Sequence, residues 1–96
     1  MRIKEKVKVL YKEYGISEQV NLHDENGDLL GQIHYLPQAI LLNADATEEQ
    51  KKATLMHEIV HALDEMYVIE LSEKQVEKLG NAFYMFQKDN PGLFSE

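Results

Sequence analysis

Apolar positions along the chain change period near residue 45, and the change divides it into two kinds of structure. Residues 3–11 alternate, with Ile3, Val7, Val9 and Tyr11 on one side and Lys4, Lys6 and Lys8 on the other. A period of two with β-branched residues predicts a half-buried strand. Val7, Leu10, Tyr11 and Tyr14 also fit helical spacing, so a helix is the rival for this segment. Between residues 20 and 36 the pair Asn26-Gly27 predicts a hairpin turn, because both residues tolerate positive φ. Leu29 to Leu36 then returns as a strand, Pro37 stops it, and Ala39-Ile40-Leu41-Leu42 makes a third apolar run. Residues 1–44 therefore read as a small antiparallel meander of three to four strands.

From residue 45 the apolar spacing lengthens to three and four. Thr47 and Gln50 are spaced as a capping box, in which a cap hydroxyl and the residue three positions on satisfy each other's backbone N–H. Leu55, Met56, Ile59, Val60 and Leu63 follow, predicting a helix over 47–66. Ser72 and Gln75 repeat the box and open a second helix marked by Val76, Leu79, Gly80, Phe83 and Phe86. The breaker cluster Asp89-Asn90-Pro91-Gly92 ends it. The fold class is α+β, a small antiparallel sheet followed by two packed helices. One domain spans residues 1–96, with the meander in 1–44 and the helices in 45–90.

Composition narrows the function classes. With 96 residues, 44% of them apolar, the core is thin. Cysteine is absent, which removes disulfides and thiolate metal sites, but four histidines remain. The net charge of −7 is unevenly spread: residues 1–14 hold five cations against two acids, and the remainder five against fifteen. An acidic surface repels phosphate backbones, so no nucleic-acid partner is expected. The charged start MRIKEKVKVLYKEY is unlike a signal peptide and no apolar run approaches a membrane span, which points to a cytoplasmic location without a membrane partner.

The first helix carries His57-Glu58-Ile59-Val60-His61. Histidines four apart lie one turn apart on one helix face, so both imidazoles can reach one ion. Neutral imidazole with carboxylate suits zinc, one ion held by four ligands. Glu58 is displaced by about 100° around the axis, away from ligation and toward a water at the open metal position, where it can act as general base. The third ligand comes from the second helix, which the short connection folds back on the first. Facing direction favours Glu73; depth along the helix favours Glu77, which is kept as the alternative. Asp64 shares the histidine face and is a candidate acceptor that orients a ligand imidazole. His23 and His34 read as half-exposed strand histidines rather than ligands. Tyr35, Tyr67 and Tyr84 are possible oxyanion donors with nothing to choose between them.

The stretch from Ala53 to Leu93 resembles the small zincin-like metallopeptidases of bacterial phages and prophages, which are similar to the ImmA/IrrE metallo-endopeptidase group. The resemblance rests on T-L-x-H-E-I-x-H-A from Thr54, L-S-E-x-Q-V-x-x-L from Leu71, and D-N-P from Asp89. The upstream GQIHYLPQAILLNADATEEQ looks like the strand such proteins place before the active-site helix. It implies a zincin-like minimal domain with His57 and His61 as zinc ligands, Glu58 as general base and Glu73 as the downstream acid, Glu77 staying in play. The implied activity is zinc-dependent hydrolysis of a peptide or protein substrate, lying antiparallel to an exposed strand edge around Gln38–Leu42. The alternative is a zinc-stapled protein-binding module of phage origin, without efficient proteolysis.

Overall fold

The alternating segment at the start of the chain folds back on itself. In a computed structural model, which describes residues 1–94, strands β1 (Lys6–Val9) and β2 (Lys12–Gln19) pair antiparallel across a turn at Leu10 and Tyr11. Leu10 takes φ 54° in this turn, and Tyr11 is 80% exposed instead of joining Val7 and Val9 on the apolar side. The rival helix does not form. The Asn26-Gly27 hairpin is present but short. Strands β3 (His23–Asp24) and β4 (Gly27–Asp28) make their own two-stranded ladder, turning through Glu25 and Asn26. Asn26 N–H donates to the Asp24 carboxylate at 2.8 Å, an Asx turn, and Gly27 takes φ 126°.

Strands β5 (Gly31–His34) and β6 (Ala39–Asn43) complete a four-stranded sheet in the order β1-β2-β6-β5. The β1·β2 and β5·β6 pairs are antiparallel, but β2 and β6 run parallel, so the sheet is mixed and not the purely antiparallel meander expected. Burial explains the difference. Ile40 and Leu42 on β6 are fully buried, and the strand with most apolar surface to hide takes a central slot beside β2. The same placement overturns the expected edge at Gln38–Leu42: β6 is interior, and the free edges belong to β1 and β5.

The helices fall where their caps put them. Helix α1 (Glu48–Tyr67) and helix α2 (Glu73–Asp89) begin immediately after Thr47 and Ser72, and both capping boxes are closed. Thr47 Oγ1 accepts from Gln50 N at 3.1 Å while Gln50 Oε1 accepts from Thr47 N at 2.9 Å, and Ser72 and Gln75 repeat the pattern. Each such cap contributes about 1 kcal/mol. Helix α1 lies on one face of the sheet, where Val9, Tyr14, Ile40 and Leu42 pack against its Leu55 and Ala62. Lys51, buried on α1, reaches Glu18 of β2 at 2.9 Å and ties helix to sheet. Helix α2 packs on α1 and buries Val76, Gly80 and Tyr84, leaving Leu79, Phe83 and Phe86 partly exposed. The architecture is α+β: a four-stranded mixed sheet followed by two packed helices. No helix among the described residues is long and apolar enough to cross a membrane.

Tyr14 is fully buried, and its hydroxyl has no hydrogen-bond partner among the described residues. A buried polar group without a partner costs stability, so removing the hydroxyl sacrifices no bond. Tyr14→Phe is expected to hold or raise the unfolding free energy measured in urea, by up to about 1 kcal/mol. A clear loss of stability would mean the hydroxyl has a partner.

Candidate metal centre

The site forms on α1, which packs against both α2 and β5. His57 and His61 lie one turn apart on α1, with ring centroids 4.9 Å apart and planes inclined at 73°. Gly80 brings α2 against the first of them, because a Cβ at that position would stand 3.1 Å from His57 Cα. This close approach sets the spacing of the two helices beside the imidazoles.

Glu73, the first residue of α2, meets both rings. Its Oε1 lies 3.3 Å from His57 Nε2 and its Oε2 lies 3.3 Å from His61 Nε2. Charge-assisted hydrogen bonds between such groups close to about 2.7–2.9 Å, so these separations are wide for direct pairing. Ligand atoms at the corners of a tetrahedron with metal bonds of about 2.0–2.1 Å stand about 3.3–3.4 Å apart. Each of the two separations, one per carboxylate oxygen, matches the spacing of a donor pair in such a site. Glu77, one turn further along α2, is exposed.

Glu58 occupies a different niche. Ligand-type atoms of His57, Glu58 and His61 all lie within 4.8 Å of one another, a grouping consistent with a HExxH-type metal site. Glu58 differs from Glu73 in burial: it is only 6% exposed, whereas the Glu73 side chain is 70% exposed. Burial, and then the nearby Glu73 carboxylate, push the Glu58 carboxyl up to about 7. Its niche is made by Gly31 on β5. A Cβ at Gly31 would collide with Thr54 Cγ2 and stand 3.1 Å from Leu41 O and 3.3 Å from Glu58 Oε2. Gly31 was not among the residues singled out from sequence, although an isolated glycine within a strand pattern marks a close backbone approach.

Asp64 shares the helix with the histidines, but its hydrogen bond goes elsewhere. Asp64 Oδ1 accepts from Leu71 N at 3.0 Å, within the α1–α2 connection. His23 and His34 lie apart from the cluster: His23 Nδ1 is 2.6 Å from Asn21 O, and His34 Nε2 is 2.9 Å from Gln32 Oε1. Of the three tyrosines considered, Tyr35 feels the site's charge. Desolvation, and then Glu65, Glu58, Tyr14 and Asp64, raise its phenol to about 12, so it stays protonated and able to donate. Tyr67 is exposed, and Tyr84 lies beneath Lys88 on α2.

Glu58 makes the metal-free protein pH-sensitive. Between the ordinary carboxyl value of 4.5 and about 7, an unfolded chain has released this proton while the folded chain still holds it. Raising the pH through that window favours unfolding, by on the order of 3 kcal/mol at full effect. In urea titrations of metal-free protein, stability should fall from pH 5 to pH 8, and Glu58→Gln should flatten that fall. Parallel profiles for the two proteins would show that the buried carboxyl is not the cause.

The model of the IrrE N-terminal-like domain, Peptidase_M78, matches residues 4–88, from ahead of β1 to the last turn of α2. Searches among curated proteins and among solved structures return no significant match.

Proposed function

The chain belongs to the Peptidase_M78 family of IrrE N-terminal-like domains, and from that premise we propose that it is a zinc-dependent metallopeptidase. His57, His61 and Glu73 hold the zinc ion. Glu58 is the general base, and Glu77 has no part in the site. The observation that carries this reading is the Glu73 carboxylate meeting both Nε2 atoms at 3.3 Å from a neighbouring helix.

When bound, zinc supplies Lewis acidity, which lowers the pKa of water at the site and polarises the scissile carbonyl. The remaining work falls to the protein. In the metal-free chain burial raises the Glu58 carboxyl to about 7, and a cation bound beside it would favour the ionised form that a general base needs. Glu58 accepts the proton as the water oxygen bonds to the carbonyl carbon. It then delivers that proton to the amide nitrogen as the carbon–nitrogen bond breaks, releasing acid and amine.

The substrate is a peptide or protein segment, and the edge for it is β5. The bond from Asn43 N to Leu30 O fixes the register, so Leu30, Gln32 and His34 exchange hydrogen bonds with β6. The N–H and C=O groups of Gly31 and Ile33 then point to the free side of the strand. An extended chain added there runs past Gly31, directly beside Glu58.

A second reading, a zinc-stapled binding module, is favoured by one feature. Met56, Ile59, Leu63, Phe83 and Phe86 line an open apolar groove of about 1000 Å³, on a part of α1 rotated away from His57 and His61. Zinc-loaded protein incubated with a mixed peptide library separates the two. The peptidase reading expects cleavage products that disappear in Glu58→Gln while zinc content is kept. A zinc-dependent rise in melting temperature with no cleavage of any peptide favours the binding module. Glu73→Ala should weaken zinc binding by at least about 100-fold, since even outer partners of a metal site are worth about 10–100-fold, and Glu77→Ala should leave it unchanged. The reverse ranking would move the third ligand to Glu77.

A further inference from the structure

The five residues between α1 and α2 go against local preference in three ways. Val68 and Glu70 take φ 51° and 66°, the left-handed region, although neither is glycine and Val68 is β-branched. The last turn of α1 contains no basic residue, while Asp64 and Glu65 put negative charge near the end of the helix dipole that disfavours it. Such violations persist only where surrounding contacts enforce them.

Asp64 is the enforcing residue. Its backbone carbonyl accepts from Val68 N, the cap of α1, and from Ile69 N at 3.2 Å. Its carboxylate accepts from Leu71 N at 3.0 Å. One residue therefore takes three N–H groups of the connection, and the last of them lies two residues before Glu73. Glu73 has little packing of its own, with a side chain 70% exposed, so its position follows from where α2 begins. Gly80 against His57 fixes the helix one and a half to two turns further on, and the Asp64 bond fixes its start.

We propose that Asp64 is a positioning residue for the metal site: by latching the α1–α2 turn through Leu71 N, it sets the first turn of α2 so that Glu73 faces both imidazoles. The inference rests on the metal reading above. It differs from the expected role for Asp64, because the carboxylate acts on the turn and not on a histidine ring.

The test compares Asp64→Ala and Asp64→Asn with the unaltered chain, reading zinc affinity by competition with a chromophoric chelator. Far-UV circular dichroism of the metal-free proteins checks that both helices persist. Asn keeps an acceptor oxygen for Leu71 N, so Asp64→Asn should bind zinc within about threefold of the unaltered chain, whereas Asp64→Ala should bind about 10–100-fold more weakly. Amide exchange at Leu71 should accelerate at least about tenfold in the alanine variant alone. Adding Val68→Gly to Asp64→Ala removes the steric penalty of the left-handed turn and should recover part of the lost affinity. Unchanged zinc affinity in Asp64→Ala overturns the positioning role, and equal loss in Asp64→Asn overturns the hydrogen-bond account of it. An unaltered chain that binds no zinc overturns the metal reading itself, while Leu71 exchange still reports whether the latch exists.

Discussion

Everything at the site depends on how closely α2 is pressed against α1. The absence of a side chain at Gly80 lets the helix backbone settle on His57, and that contact determines how far an acid on α2 can reach. With the helices this close, the first residue of α2 spans the two imidazoles with both of its carboxylate oxygens. A bulkier residue at position 80 would push the helices apart, and the wide 3.3 Å separations would open further. The acid stays in solvent, so holding it there carries little desolvation cost.

Glu58 shows the opposite solution. It is buried between α1 and β5, in space that exists because position 31 has no side chain. Burying a carboxylate disfavours its charged form, and in the metal-free chain this raises its pKa to about 7. Two acids near the same imidazoles thereby sit in different surroundings: one in water and facing both rings, the other desolvated with its pKa raised. The free edge of β5 runs past the second of them, which joins the sheet to the chemistry.

The helices and the His57–Glu58–His61 grouping were legible in the sequence because their signals are local. Thr47 with Gln50, and Ser72 with Gln75, place the helix starts through bonds that span three residues, and His57-Glu58-x-x-His61 lies within one turn and its neighbour. Strand pairing was not legible, because it depends on which strand buries most, a property of the whole sheet. The apolar run Ala39-Ile40-Leu41-Leu42 identified β6 correctly as a strand but could not reveal that Ile40 and Leu42 pull it into a central, parallel pairing with β2. Tyr11 kept the alternating rhythm yet fell in a turn, where the positive φ of Leu10 is invisible to periodicity. Asp64 lies on the histidine face as its spacing predicts, but its partner is a backbone N–H in a connection whose conformation no propensity would suggest.

The account is tested most directly by diffraction at the zinc absorption edge, on crystals of the chain purified without chelator. It predicts one anomalous peak, about 2.0–2.2 Å from Nε2 of His57, Nε2 of His61 and a carboxylate oxygen of Glu73, with the Glu58 carboxyl outside bonding distance. A peak bonded to Glu58 or Glu77 in place of Glu73, or no peak between the two imidazoles, would contradict it.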